Sequence, residues 1–265
     1  MSDSSSERRA LLATCVAAAV RAADVVRAGA ARLSELQWEV KGPSDFVSQV
    51  DRDAEQALGQ VVRERHPDAV IIAEESSPKA RPGELTFVAD PLDGTTNFLH
   101  GFPWYAVSIG AILHDRTVAG VVLNVATGEL FSAVLEGGAR RSGQPIRVSA
   151  VTDPTRALIG TGFPFKRHDG IAPYMDVLPR LMRGTAGLRR AGAAALDLCD
   201  VACGRFDAFW EYHLAPWDVA AGMLIIREAG GVVTDLQGQP ATVVHGPIVA
   251  GNPTMHAWLV EQLRM

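Results

Sequence analysis

The chain has 265 residues, 48% of them apolar and 21% charged, which suits one large globular domain or two closely packed halves. A formal net charge of −5 argues against nucleic acid as the main partner, and no run of like charges stands out. Cys15, Cys199 and Cys203 have no framework spacing; Cys199 and Cys203, four apart on one helix face with no histidine nearby, are expected as a reduced, buried pair, as suits a cytoplasm.

After an opening MSDSSSE that reads as disordered, a long helix is expected to about Leu33. Its uncharged run is too short for a membrane span, and Leu12, Val16, Ala19, Ala23 and Val26 fall near one helical face, so an amphipathic helix is favoured over an export signal. Residues 41–48, holding Gly42-Pro43, read as a loop, and "SQVDRDAEQALGQVVRERH" as a second helix with Ser48 as its cap. Strands follow at "AVIIAEE" and "LTFVAD". Three long β-patterned runs, "YAVSIGAIL", "TVAGVVLNVA" and "ELFSAVLE", are separated by hairpin-length breaks, which predicts an antiparallel meander. Beyond a composition shift near residues 149–155 the pattern alternates. A strand "ALIGTG", a helix over 172–182, a helix "AALDLCDVACG", a strand "FDAFWE", a helix "WDVAAGMLIIREAGG", a strand "VVTD" and a last helix from Pro253 are expected. This divides the chain into residues 1–150 and 151–265, packed as layers of helix and sheet in one body.

Acids stand where strands end or helices begin: Asp45 and Asp51, Glu74-Glu75, Asp90 and Asp93, and Asp218. Each lies beside small or apolar residues, where an ionised carboxylate is costly without a partner. An oxygen-rich, sulfur-free set suits Mg²⁺ or Mn²⁺ rather than Zn²⁺, and several carboxylates would hold more than one ion, as in displacement at phosphorus. "DGTTNF" reads as a loop entering a short helix, whose first-turn N–H groups at Gly94 and Thr95 would donate to a phosphate oxygen. Taken singly, Asp-x-x-Asp is most often a turn cap and Asp218 an N-cap; their recurrence at element ends favours a metal site.

"DPLDGTTNFLHGFPWYAVSIG" and "PWDVAAGMLIIREAGGVVTD" resemble the two signatures of the inositol monophosphatase family of Mg²⁺-dependent, lithium-sensitive phosphatases. "DFVSQVDRDAE", "AEES", "TGFPFKR" and "RRAGAAALDLCDVACGRFDAFWE" extend the resemblance over nearly the whole chain. It implies an α+β fold, a layered α-β-α-β-α sandwich, and a homodimer. Carried onto these residues, it implies a first metal held by Glu74, Asp90 and the Leu92 carbonyl, a second held by Asp90, Asp93 and Asp218, and a looser third near Glu74. Thr95, oriented by Asp51, would polarise the attacking water. Gly94 and Thr95 amides would hold phosphate, and Ala194, Glu211 and Asp218 would meet the substrate alcohol.

The expected activity is hydrolysis of myo-inositol-1-phosphate in the cytoplasm. Histidinol-phosphatase, fructose-1,6-bisphosphatase and nucleotide or NADP phosphatase share the scaffold, and a non-catalytic regulatory protein retaining it is the reading of a different class. Lys41 falls near a mobile lysine of the family. Lys166 and Arg167 would meet a second anionic group or be a solvated loop. His100 and His213 are expected exposed or packed, and Trp104, Trp210 and Trp217 in the core.

Overall fold

A computed structural model describes residues 4–42, 45–76, 83–165 and 168–264. Helix α1 (Ser5–Ala30) begins earlier than the polar opening suggests, because the Ser4 side chain caps it by accepting the Glu7 N–H. It ends at Ala30, and a 3₁₀ turn (Leu33–Glu35) follows. The expected loop over 41–48 is instead part of an antiparallel hairpin of β1 (Trp38–Gly42) and β2 (Asp45–Ser48). Trp38 and Phe46 meet edge to face across it, a cross-strand pairing that Gly42-Pro43 masks in the sequence. The Lys41 side chain lies outside the described residues, as does that of Asp45. Helix α2 (Gln49–Arg65) opens on a capping box in which Asp51 accepts from the Ser48 N–H and the Ser48 hydroxyl caps the first turn.

A seven-stranded sheet lies entirely before residue 150. Strand β3 (Val70–Ala73) runs parallel to β4 (Thr86–Asp93). The short helix α3 (Thr95–Leu99) follows, and then β5 (Ala106–Leu113), β6 (Arg116–Asn124) and β7 (Leu130–Val134) form the predicted meander. Two short strands not anticipated, β8 (Ala139–Arg141) and β9 (Gln144–Pro145), extend it. The second half contributes β10 (Leu158–Thr161), α4 (Ile171–Gly184), β11 (Gly187–Arg189), α5 (Ala194–Ala202), β12 (Ala208–Leu214), α6 (Pro216–Glu228), β13 (Val232–Thr234), β14 (Gly246–Gly251) and α7 (Pro253–Leu263). Its five strands form a mixed sheet ordered β11-β10-β12-β14-β13, in which β11 and β14 are additions to the sequence reading.

Three apolar clusters fix five layers. Helices α1 and α2 cover one face of the seven-stranded sheet, α5 and α6 fill the space between the sheets, and α4 and α7 cover the far face of the second sheet. Small residues make the first contact close: Cys15, Ala18, Ala19, Ala22 and Ala23 of α1 are all fully buried. The thiols are free; Cys15 and Cys199 are buried, but Cys203, expected buried beside Cys199, is only partly so because it caps the end of α5. Helix α6 is buried on every side from Val219 to Ile226, which explains its lack of a polar face. Arg205 ties the sheets together at the surface, with bonds of 2.9 and 2.6 Å to Glu129 and 3.1 Å to Asp200. Among the described residues no helix is long and apolar enough to cross a membrane.

The contact of α6 with the first sheet depends on two missing side chains. A Cβ at Gly110 would lie 2.9 Å from the Ala220 Cβ, and one at Gly120 3.0 Å from the Ala221 Cα. Asp218 rides on the first turn of that helix. Gly110→Val is therefore expected to cost about 1–3 kcal/mol of stability, the usual penalty of overpacking, and to displace Asp218 as well. Urea melts with and without Mg²⁺ check this: a variant that melts as the native chain does and responds equally to the ion contradicts it.

Candidate metal and phosphate site

Asp90 and Asp93 end β4, three residues apart. In a regular strand an odd spacing sends two side chains to opposite faces. The pairing with β5 slips between Asp90 and Asp93, so that Asp90 is opposite Ser108 and Asp93 opposite Ala106. Pro91, which has no N–H for the ladder, stands in that irregularity. The parity is broken there, and the two carboxylates share one place with Asp218. Oxygen atoms of Asp90, Asp93 and Asp218 all lie within 4.8 Å of one another.

Each acid is held by a backbone N–H from a different segment. Asp90 accepts from Leu92 N at 2.9 Å, Asp93 from Ala195 N at 2.8 Å, and Asp218 from Ala215 N at 2.7 Å. The last bond makes Asp218 the third residue of the helix, its side chain reaching back to the N-cap Ala215, so the sequence expectation of Asp218 as the N-cap itself is off by three positions. Burial, and then the charges of Glu74, Asp93 and Asp218, push Asp90 well above the usual carboxylate range. Burial first, and then Asp218, push Asp93 from 3.8 to about 8. The charges acting on Asp90 are all negative, and the cluster offers only hard oxygen donors. That donor set fits a divalent cation of the Mg²⁺ or Mn²⁺ kind.

Beside the cluster, Thr95 Oγ1 lies 3.0 Å from Asp51 Oδ1 and 3.0 Å from the Leu92 carbonyl, with one proton to give. Asp51 is 2% exposed, and its other oxygen takes the Ser48 N–H at 2.8 Å and the Ser48 hydroxyl at 2.7 Å. Gly94, the residue before α3, has φ of +87°, and a Cβ there would come within 3.0 Å of the Trp104 carbonyl. The first-turn N–H groups of α3 have no acceptor within the helix and face no side-chain cap.

All of this opens on a cavity of about 810 Å³. Its wall includes Glu74, Asp90, Leu92, Asp93, Gly94 and Thr95 from the first half. From the second half come Ala194, Glu211 and Asp218. Of the expected site residues only Asp51 is not part of the wall; it stands behind Thr95. Lys166 and Arg167 lie outside the described residues, but Phe163 and Phe165 beside them line the cavity, with Arg190 stacked 5.0 Å from the Phe165 ring. His100 is exposed, its Nδ1 2.9 Å from the Thr96 carbonyl, while the exposed His213 borders the cavity. Trp210 is a core residue as expected; Trp217 is instead in the cavity wall against His245, and Trp104 is only partly buried. Sequence reasoning passed over Asp197, a fully buried acid of the wall, although a charge within "AALDLC" is the signal that could have singled it out.

A five-layered α+β sandwich with buried carboxylates gathered between its halves defines a class of protein, and known proteins identify the class. The profile of the inositol monophosphatase family matches residues 7–265, and the chain belongs to that family. A protein of Neisseria meningitidis described as a putative Nus factor SuhB is 42% identical over 94% of this chain and 96% of its own length. An inositol-1-monophosphatase of Rhizobium meliloti is likewise 42% identical, covering 92% of both chains. The crystal structure of the extragenic suppressor protein suhB from Bartonella henselae superposes with a TM-score of 0.92 at 40% identity, over 96% of this chain and 98% of that one.

Protons and a cation compete for these acids, and the sign follows from the raised Asp93. A carboxyl raised in the fold favours the metal-free native state at low pH, and that contribution fades as pH rises toward about 8. Thermal stabilisation by Mg²⁺ is therefore expected to grow between pH 6 and pH 8.5 and to be lost in Asp93→Asn. Melting curves across that range check it; a shift independent of pH and of Asp93 would place the ion elsewhere.

Proposed function

We propose that the chain is a Mg²⁺-dependent phosphomonoesterase whose substrate is myo-inositol-1-phosphate, working in the cytoplasm. The observation that carries this reading is the gathering of Asp90, Asp93 and Asp218 in one cavity with the Thr95–Asp51 pair. Glu74, Asp90 and the Leu92 carbonyl would hold one ion, and Asp90, Asp93 and Asp218 a second, with a third, looser ion near Glu74. When bound, such ions neutralise phosphate charge, acidify a water and favour the departing alkoxide. Mn²⁺ is the alternative metal.

The chain's own residues supply the rest. Thr95 donates its proton to Asp51, which leaves an oxygen lone pair to accept a hydrogen of the attacking water and aim it. Asp51 stays a fixed acceptor because Ser48 occupies its other oxygen. The amides of Gly94 and Thr95 receive a phosphate oxygen, and Ala194, Glu211 and Asp218 face the alcohol. The two halves, 1–150 and 151–265, act as one catalytic unit, since Asp93 comes from one and Ala195 and Asp218 from the other. A second copy of the chain is the partner suited to the exposed Phe163, Phe165, Ile171 and Met175.

Phosphate release should be measured from inositol-1-phosphate, fructose-1,6-bisphosphate, histidinol phosphate, adenosine 3′,5′-bisphosphate and NADP. Inositol-1-phosphate is expected to lead with Mg²⁺ and fall silent with EDTA. Asp90→Asn is expected to lose roughly 10³-fold or more, and Thr95→Ala roughly 10²-fold, the scales of an electrostatic and a proton-handling group. Silence across the panel with Mg²⁺ present would sink the reading.

A second role is favoured by the relative named a Nus factor, which implies a transcription-related partner for this fold. Complementation of a strain lacking a SuhB-type Nus factor, by the native chain and by Asp90→Asn, tests it. Rescue by both assigns that role to the surface rather than to the cavity; rescue by neither removes it.

A further inference from the structure

A single helical turn carries too few backbone bonds to hold its own place, so its direction is set by what its side chains grip. Helix α3 (Thr95–Leu99) is such a turn, and it carries Thr95. Phe98 enters the core, edge to face with Tyr105. Asn97 is half-buried, and its Nδ2 donates to the Trp104 carbonyl at 2.7 Å and to the Ala191 carbonyl at 2.9 Å. Both partners can only accept, so the amide has one orientation. The Asn97 backbone carbonyl also takes the Phe102 N–H at 2.8 Å, which fastens the chain leaving α3. The Ala191 bond crosses from the first half of the chain to the second. The segment it reaches, between β11 and α5, is gripped again where the Ala195 N–H meets Asp93. Gly192, with φ of +92°, stands between these two bonds, and a Cβ there would lie 3.2 Å from Asn97 Nδ2. The metal and phosphate chemistry described above makes no use of Asn97.

We infer that Asn97 is a positioning residue for the reaction: by tying α3 to the segment that restrains Asp93, it sets the Thr95 hydroxyl relative to the carboxylate cluster. The inference rests on the phosphatase reading and adds to it a residue that acts through Thr95. The Thr95 hydroxyl has one proton and two acceptors, Asp51 and the Leu92 carbonyl, and must turn a lone pair toward water. A group with that task is a poor anchor for the helix that carries it. The two amide bonds of Asn97 anchor the helix instead. Without them α3 keeps Phe98 in the core but turns about that ring, and Thr95 swings with it. Misalignment of a group that aims the nucleophile costs rate more than binding. The cluster itself does not hang on Asn97, because Asp90, Asp93 and Asp218 take their N–H donors from Leu92, Ala195 and Ala215.

The test is a double-mutant cycle on inositol-1-phosphate with Mg²⁺, using the native chain, Asn97→Ala, Thr95→Ala and the pair together. Asn97→Ala is expected to lower kcat roughly tenfold, the scale of one hydrogen bond, with KM changed by less than about twofold and the Mg²⁺ melting shift retained. In the Thr95→Ala background the same substitution is expected to cost less than about twofold, because the group it positions is gone. An unchanged kcat overturns the inference. So does a loss of equal size in both backgrounds, which is what a merely structural residue gives. Where Asn97→Ala fails to fold, Asn97→Ser, which keeps one donor, carries the same cycle and must show the same dependence on Thr95. A native chain that hydrolyses no ester defeats the phosphatase reading instead. The placement of α3 is then decided by hydrogen exchange in the native chain and the position-97 variant. Faster exchange in both 94–99 and 191–195 upholds it; exchange unchanged in either segment overturns it.

Discussion

Three carboxylates forced together inside a protein repel one another, and the rest of this structure is arranged around that repulsion. Burial and the charges of Glu74, Asp93 and Asp218 all act against an ionised Asp90, and the Leu92 N–H acts for it. What holds the cluster is backbone. One N–H each from Leu92, Ala195 and Ala215 pins one carboxylate, and those three amides belong to a strand bulge, a helix start and the entry to another helix. A site assembled this way is stiff before any ligand arrives, because backbone amides of regular elements move little. The unfavourable charge is held in reserve for a cation.

The layers follow from the same need. Asp93 can reach Ala195 only if α5 lies against the carboxyl end of β4, and Asp218 can join only if α6 lies flat on the sheet. Bare glycines on β5 and β6 allow the second contact, and a wholly apolar α6 fills the slot between the sheets. Packing and chemistry are here one constraint read at two scales.

Much of this was legible in the sequence, for identifiable reasons. Acids at the ends of apolar runs are conspicuous because they are energetically out of place, so Asp90, Asp93 and Asp218 announced themselves. The meander could be read because its hairpin breaks are short. What could not be read was geometry that depends on a partner strand. The register slip around Pro91 decides whether Asp90 and Asp93 converge or diverge, and no periodicity reveals it. The β1–β2 pairing was hidden by the Gly42-Pro43 signal in the sequence, and β14 by the glycines that bound it, since both signals also mark loops. Asp197 was missed for the opposite reason. Within an apolar helix one acid reads as an ordinary solvated face, and only its burial on all sides makes it a question.

The order in which the layers are supplied has a consequence for synthesis. A chain emerging from the ribosome completes all seven strands of the first sheet by residue 145, but the helix that covers their second face ends only at Glu228. Through that interval Gly110, Gly120 and their apolar neighbours have no layer upon them. Asp93 is present without the Ala195 N–H that restrains it. The nascent first half is thus a sheet with one dry face and one wet face, exposed to wrong partners for as long as the intervening residues take to be made. The same central helix that makes the finished site rigid makes its unfinished form the most vulnerable stage in the life of the chain.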